Sequence, residues 1–249
     1  SSDFEWVVVD GSLNGPLLDR DYYMRLPFQV NYIYGQDSGI YDAMNIGKQC
    51  SKGSYLCFLN SGDELAVPQG MDLIIRAIAC MKFDVILFDA VYTYKNHYVY
   101  TKRAVDPSRR IRHGLPASHQ AILYCRSLVN NITYCTDYSV CADYQFTIEA
   151  LCQASQISIN NQTLVLFQLG GTSTFKPITL AMESAAIQYN YLKMRPERII
   201  LSSVRRIISI IVSSLLIGTV RLLALRRSGT TSRQQECALL ENITKKQLG

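Results

Sequence analysis

Three carboxylates in the sequence each follow an apolar stretch and lie close to a glycine. They are Asp10, followed by Gly11 and Ser12, Asp37, followed by Ser38 and Gly39, and Asp63, preceded by Asn60, Ser61 and Gly62. Glycine lets the backbone approach a ligand closely, and carboxylates can accept hydrogen bonds from ribose or hold a divalent cation on a diphosphate. Aspartate beside glycine is also ordinary turn chemistry, so the prediction of a ligand site depends on all three motifs together.

Apolar runs and helical spacing predict the elements that must position these carboxylates. Strands are predicted at 4–10, 28–34, 54–60, 83–92 and from about 157, and helices at 40–52, 69–82 and 142–155. This alternation predicts an α/β fold with a doubly wound, mostly parallel sheet flanked by helices. In such a sheet, ligands bind beyond the carboxyl ends of the strands, which is where the three motifs fall. The aperiodic segment 95–118 predicts a long surface loop.

Composition limits the classes of protein that this chain can represent. Of 249 residues, 48% are hydrophobic and 18% charged, which favours a sizeable core over disorder. A net charge of +5 is modest, and we expect no nucleic-acid partner. The eight cysteines form no C-x-x-C pair, which indicates reduced, mostly buried thiols in a cytoplasmic protein. The glycine-rich signatures of dinucleotide-binding and P-loop proteins do not occur in the sequence.

The last third of the chain changes in character. We predict one domain over 1–180 and a helical extension over 181–249. Between Arg206 and Arg221 lie fourteen uncharged residues, and a helix of that length measures about 21 Å, short of the roughly 30 Å hydrocarbon core. Serines and arginines share one side of the predicted helix and aliphatic residues the other, so 199–227 is predicted to lie on a membrane surface. The alternative is a helix that packs on the domain or on another subunit.

Five segments resemble a known family in their order and spacing. They are "VVVDGSLNG", "GQDSGIYDAMNIG", "GSYLCFLNSGDEL", "ASHQAILYCRSL" and "ADYQF". Over residues 4–175 the chain resembles bacterial family-two inverting glycosyltransferases of the GT-A fold, and most closely those that build colanic-acid, exopolysaccharide or O-antigen repeat units. The opening strand and following helix of that family are absent, so we expect the chain to be a fragment or a processed product.

The resemblance assigns roles to individual residues. Asp10, Gly11, Ser12, Asp37 and Gly39 would contact the uracil and ribose of a nucleotide-sugar donor, and His119 and Gln120 match an "HQ" pair on an acceptor-side strand. Asn60, Ser61 and Gly62 stand at the metal-binding D-x-D element, where Asp63 is the retained ligand for Mg2+ or Mn2+. This sequence departs from the acidic pattern at Asn60 and Gly62. Asp143 would be the catalytic base, preceded by Ala142 where the family often has a second acidic residue.

The implied reaction is inverting transfer of a sugar, from a UDP-sugar, to a glycan or lipid-linked acceptor in surface polysaccharide biosynthesis. We expect the protein at the cytoplasmic face of the cell membrane. One carboxylate base suffices, because a metal stabilises the leaving diphosphate. Two alternatives stay open. A nucleotidyltransferase-like enzyme would make sugar nucleotides, and a catalytically degenerate scaffold would explain the residues at Asn60 and Gly62.

Overall fold

A computed structural model describes most of the chain. The described residues are 4–66, 70–79, 82–94, 97–169, 176–205, 207–208 and 212. The remainder of the predicted surface helix, at 206, 209–211 and 213–227, lies outside them, as do Cys80 and Cys237.

The first part of the chain forms a parallel strand pair with two helices. In chain order the elements are β1 (Glu5–Asp10), α1 (Arg20–Met24), β2 (Gln29–Tyr34) and α2 (Ile40–Cys50). β1 and β2 pair in register from Glu5 opposite Gln29 to Asp10 opposite Tyr34. Because the strands are parallel, the segments that follow Asp10 and Tyr34 leave the sheet at the same edge.

The second part of the chain forms a six-stranded sheet with helices around it. Its elements are β3 (Tyr55–Cys57), β4 (Glu64–Leu65), α3 (Gly70–Ile78), β5 (Val85–Tyr94), β6 (His97–Lys102), α4 (Pro107–Arg110), β7 (Ile122–Cys125), α5 (Arg126–Val129), α6 (Ala142–Gln153), β8 (Ile157–Gln168) and α7 (Pro177–Asn190). Helix α8 covers 196–205, and the described residues 207, 208 and 212 are also helical. The strands lie in the order β3-β7-β5-β8-β4, and β6 pairs with β5.

The predicted α/β fold with flanking helices is confirmed, and the sheet is more mixed than expected. Parallel pairing occurs between β1 and β2 and between β5 and β8. The other pairings among the described strands are antiparallel. The start of the predicted loop 95–118 is the strand β6, because its alternating aromatic and β-branched residues favour pairing with β5.

An aromatic cluster joins the helices to the sheet, and it consists of Tyr41, Phe58, Tyr124, Tyr134 and Phe146. The rings of Tyr134 and Phe146 stack with centroids 4.2 Å apart. Phe58 makes T-shaped contacts with both rings, with centroids 5.3 and 5.8 Å apart, and Tyr41 stacks on Tyr134 with centroids 5.8 Å apart. Such ring pairs add about 0.5–1.5 kcal/mol each beyond the burial of their area.

The predicted domain boundary at residue 180 falls within α7. Ile187 on this helix is fully buried and packs with Val140, Tyr144 and Ile148.

Among the described cysteines, Cys141 is buried, Cys152 is exposed and the others are half-buried, and all of them are free thiols. No helix in the described part of the chain has both the length and the apolar character needed to cross a membrane.

Lys48 anchors α2 to the end of α5 and to the segment that follows it. Its side chain is 7% exposed, and its ammonium group donates to the carbonyl oxygens of Val129, Asn130 and Ile132 at 3.0, 2.9 and 2.6 Å. Burial, and then the nearby Arg126, lower the pKa of Lys48. The three carbonyls offset the cost of desolvating the ammonium, and α2 is thereby held against the larger sheet.

We expect Lys48→Met to lower the free energy of unfolding by about 2–4 kcal/mol, because buried carbonyl oxygens would lose their donor. Urea unfolding followed by circular dichroism measures the change. Lys52→Met removes the same charge from an exposed position nearby and should shift stability by no more than about 0.5 kcal/mol. Equal effects of the two substitutions would show that Lys48 does not anchor the helix.

Candidate functional site

Asp10 organises the loop that follows β1. One carboxylate oxygen accepts hydrogen bonds from the backbone N–H of Ser12, at 3.0 Å, and from its hydroxyl. The other accepts from the backbone N–H of Leu17, at 2.7 Å, and from the Tyr32 hydroxyl. The hydrogen bonds from Leu17, Ser12 and Tyr32 lower the pKa of Asp10 far below its ordinary value. With both oxygens engaged in this way, Asp10 shapes the loop, and its predicted nucleotide contact stays a prediction.

Asp37 lies directly over Gly11. Its Oδ1 accepts a hydrogen bond from the backbone N–H of Gly39 at 2.9 Å, while a Cβ atom added to Gly11 would come within 2.2 Å of Oδ2. Gly39 has a φ of +123°, which few other residues adopt. The structure therefore brings the predicted residues Asp37, Gly11 and Gly39 together. A side chain at position 11 would displace the Asp37 carboxylate from its present place, and the backbone conformation at position 39 favours glycine.

Asp63 is the last residue of a turn that begins at Asn60, after β3. Its backbone N–H donates to the carbonyl of Asn60 at 3.0 Å, and Gly62 within the turn has a φ of +91°, as a type II turn requires. The carboxylate accepts two long hydrogen bonds, from the N–H groups of Asn60 at 3.4 Å and Gln168 at 3.3 Å. Burial raises the pKa of Asp63, so a nearby cation would favour its ionised form.

A chain of hydrogen bonds runs from Tyr92 to Asp63. The Ser118 hydroxyl donates to Oε1 of Gln120 at 3.0 Å, so the amide nitrogen of Gln120 is the donor in its hydrogen bond to Asp63, which lowers the pKa of that carboxyl. The Ser118 oxygen lies 3.1 Å from the Tyr92 hydroxyl, which is then the donor to it, because the single Ser118 proton is already engaged. Gln120 thus holds Asp63, and its predicted contact with the donor stays a prediction.

Tyr92 lies near both Asp63 and Asp143. Burial, then Tyr100, and then the carboxylates of Asp143 and Asp63 raise the pKa of the Tyr92 hydroxyl. After burial, Asp143 is also the strongest influence that raises the pKa of Tyr41. Tyr41 lies in the first turn of α2, directly after the Asp37 loop. Asp63 and Asp143, which are far apart in the sequence, thus both lie close enough to Tyr92 to raise the pKa of its hydroxyl.

Asp143 lies in the first turn of α6. Its Oδ1 accepts the backbone N–H of Tyr144 at 2.8 Å, and the helix dipole favours a negative charge at this end. The carboxylate of Glu183, from α7, holds the preceding turn by accepting backbone N–H bonds of 2.8 to 2.9 Å from Ser139, Val140 and Cys141. Sequence reasoning missed Glu183, because its only local signal is one acidic residue on a helix.

His119 is part of the core. The ring is 3% exposed, stacks on Phe58 with centroids 5.6 Å apart, and places Nε2 2.9 Å from the Tyr134 hydroxyl. Burial, and then Lys102, lower its pKa to about 3. His119 begins a 3-10 turn, His119–Ala121, that precedes β7, whereas the sequence placed it on a strand. Its predicted ligand contact stays a prediction, and the position indicates an indirect role in supporting the neighbouring Gln120.

The described residues contain no group of three or more His, Cys, Asp or Glu side chains that could hold a metal ion. A cation at Asp63 would therefore need ligands from the bound molecule itself, which fits a diphosphate.

A separate hollow of about 500 Å3 lies between α4, α6 and the start of β8, with mainly aliphatic side chains such as Ile148, Leu151 and Ile159 in its lining. None of the predicted site residues lines that hollow.

Comparison with known proteins shows which proteins this chain is similar to. No protein-family model matches the chain. Its sequence is similar to PGL/p-HBAD biosynthesis glycosyltransferases of Mycobacterium bovis and Mycobacterium tuberculosis, with 31% identity over 153 residues. The match covers 59% of this chain and 57% of each mycobacterial protein, so the chain corresponds to little more than half of their length.

Solved structures show the same fold. The crystal structure of S. aureus TarS 1–349 superposes with a TM-score of 0.57 at 19% identity, covering 83% of this chain and 63% of that one. The complex of TarS 1–349 with UDP-GlcNAc gives 0.57 at 17% identity, with 83% and 64% covered. Mannosyltransferase PcManGT from Pyrobaculum calidifontis, in complex with GDP-Man and Mn2+, gives 0.56 at 13% identity, with 98% and 71% covered. The expected resemblance to glycosyltransferases is confirmed in sequence and in fold.

The neutral state of His119 predicts a pH dependence of stability. The unfolded chain takes up a proton on this ring below about pH 6.5, whereas the folded chain keeps it neutral down to about pH 3. Stability is therefore lost as pH falls through this window. Between pH 6.5 and pH 5, the wild type should lose about 1–2 kcal/mol more than His119→Gln. Urea unfolding at each pH measures both slopes, and parallel slopes would contradict a neutral buried imidazole.

Proposed function

We propose that this chain is an inverting glycosyltransferase that transfers a hexose from a UDP-sugar to a hydroxyl group of a glycan or lipid-linked acceptor. The observation that carries the proposal is that Asp63 and Asp143, from distant parts of the sequence, both lie close enough to the Tyr92 hydroxyl to raise its pKa. In this proposal Asp63 holds the metal-bound diphosphate and Asp143 acts as the base. The glycosyltransferase relatives support this assignment.

The donor would bind at the edge where β1 and β2 end. Asp37 is half-buried, and among the described residues no donor lies on its Oδ2, so this oxygen suits a ribose hydroxyl or the uracil N–H. The loop of Gly11 and Ser12, held by Asp10, forms the adjoining backbone surface. In support, the TarS structure has been solved with UDP-GlcNAc.

Asp63 would hold Mg2+ or Mn2+ together with oxygens of the donor diphosphate. When bound, the cation supplies Lewis-acid stabilisation of the leaving group. The hydrogen bond from Gln120 orients Asp63 for this role. The PcManGT complex, which contains GDP-Man and Mn2+, supports a divalent cation at a comparable donor.

Asp143 would act as the base. It takes the proton of the acceptor hydroxyl while that oxygen forms a bond to the anomeric carbon, on the face opposite the nucleotide. The bond between the anomeric carbon and the diphosphate oxygen breaks, and the nucleoside diphosphate departs with the electron pair. Glu183 holds the turn before α6 and so fixes the position of the base.

A degenerate scaffold is the second candidate, because Asn60 and Gly62 leave Asp63 as the single carboxylate in the D-x-D region. Gly62 has a positive φ, so an aspartate there would be strained. The turn is therefore built around a glycine and retains its acidic residue at Asp63.

A role in surface polysaccharide synthesis at the cytoplasmic side of the cell membrane would follow from a lipid-linked acceptor.

We expect Asp143→Asn to lower transfer by about 10²–10⁴-fold, because the amide cannot accept the acceptor proton. UDP affinity should stay within about twofold, since the base does not contact the nucleotide. Release of the nucleoside diphosphate from a panel of UDP-, GDP- and dTDP-sugars measures transfer, and calorimetry measures UDP binding. Asp137→Asn, at an exposed position on the preceding loop, should retain full turnover. Unchanged turnover in Asp143→Asn would remove this residue from the mechanism.

Metal-dependent binding of UDP separates an enzyme from a scaffold. Calorimetry should show UDP binding that tightens at least about tenfold with Mn2+, and Asp63→Asn should abolish this gain because it removes the ionised ligand. Glu64→Gln removes a charge from the adjacent, exposed position and should keep the gain. If the wild type binds UDP equally with and without Mn2+, the metal role of Asp63 is wrong.

A further inference from the structure

Helix α8 turns a polar side chain toward the protein. Ser202 is 2% exposed, and its hydroxyl accepts a hydrogen bond of 2.8 Å from the side-chain amide of Gln188 on α7. The same amide also donates to the carbonyl of Arg112 at 2.9 Å. A buried polar contact of this kind fixes which side of α8 faces inward.

Aliphatic side chains lie on the outer side of α8 and of the described helical residues that follow it. They are exposed by 47% to 64% and comprise Ile200, Leu201, Val204, Ile207, Ile208 and Val212. Their spacing is that of one stripe along a helix. A helix that served only to cover its own domain would turn such a stripe inward, so the exposed stripe indicates a surface that meets another apolar phase.

Basic residues accompany this apolar stripe. Arg195, Arg198 and Arg205 are exposed at or near α8, and Glu197 is the only acidic residue in 195–205. An apolar stripe beside arginines is the composition of helices that lie in the headgroup region of a bilayer. Each basic residue near an anionic membrane surface adds to its attraction.

Charge decides between the two surfaces that could cover the stripe. A second copy of this chain, packed symmetrically on the stripe, would bring the basic residues of both copies to one interface, where Glu197 is the only acidic residue that 195–205 of each copy supplies. Anionic lipid headgroups instead neutralise them while the aliphatic residues enter the acyl boundary. We infer that the outer face of α8 binds the surface of an anionic lipid bilayer. The inference goes beyond sugar transfer and does not depend on it, so either can fail while the other stands.

Flotation of the full chain with lipid vesicles tests the inference. We expect binding to vesicles of phosphatidylcholine with 30% phosphatidylglycerol, taken as about the anionic content that gives a strong surface potential. Binding to pure phosphatidylcholine, or at high salt, should be at least about tenfold weaker. Ile200→Asn combined with Val204→Asn, and separately Arg198→Glu combined with Arg205→Glu, should each weaken binding by about tenfold or more.

Matched controls keep the test specific. Met24→Asn replaces an apolar residue on α1 that is 67% exposed, and Lys52→Glu reverses an exposed charge elsewhere; both should bind vesicles like the wild type. The substituted residues lie outside the core, so each variant should fold, and circular dichroism checks this. Equal flotation of all variants, or no flotation of the wild type, would overturn the inference. So would a dimer in sedimentation analysis that Ile200→Asn with Val204→Asn converts to monomers.

Discussion

The acidic residues of this site depend on the packing of one aromatic cluster. Phe58 precedes the turn that ends at Asp63, Tyr41 follows the Asp37 loop, and Phe146 lies one turn beyond Asp143. Their rings meet around Tyr134, which stacks on Phe146 with centroids 4.2 Å apart. Since ring pairs have preferred distances and angles, the cluster helps to fix the relative positions of the three backbone segments next to Asp37, Asp63 and Asp143.

Burial of this cluster obliges each polar group beside it to find a partner. The neutral ring of His119 places Nε2 2.9 Å from the Tyr134 hydroxyl, and the hydrogen-bond chain through Ser118 and Gln120 ends on Asp63. In a low-dielectric interior such a chain restricts each side chain to one orientation. Of the two residues that the resemblance assigned to ligand contact, Gln120 thus supports Asp63, whereas His119 supports the aromatic cluster.

Helix α7 connects the proposed base to the proposed membrane surface. Glu183 on this helix accepts the backbone N–H groups of the turn before α6. One turn further along, Gln188 donates to Ser202 and so sets the rotation of α8. If α8 lies on a bilayer, α7 transmits that orientation directly to the turn that carries Asp143. An enzyme with a lipid-linked acceptor would need such a fixed relation, because the acceptor hydroxyl lies at a set height above the membrane.

The sequence alone determined the elements that carry the site, since β1, β2, α2 and α6 follow from local apolar spacing, and glycines mark the turns at positions 11, 39 and 62. Tertiary structure decided the antiparallel pairing of β5 with β7, the strand β6, and the engagement of Asp10 by its own loop. It also placed Gln120 beside Asp63 and the Glu183 carboxylate on the turn before α6. These features depend on contacts between residues far apart in the chain. Such contacts do not change the local spacing of apolar residues, so the sequence pattern does not reveal them.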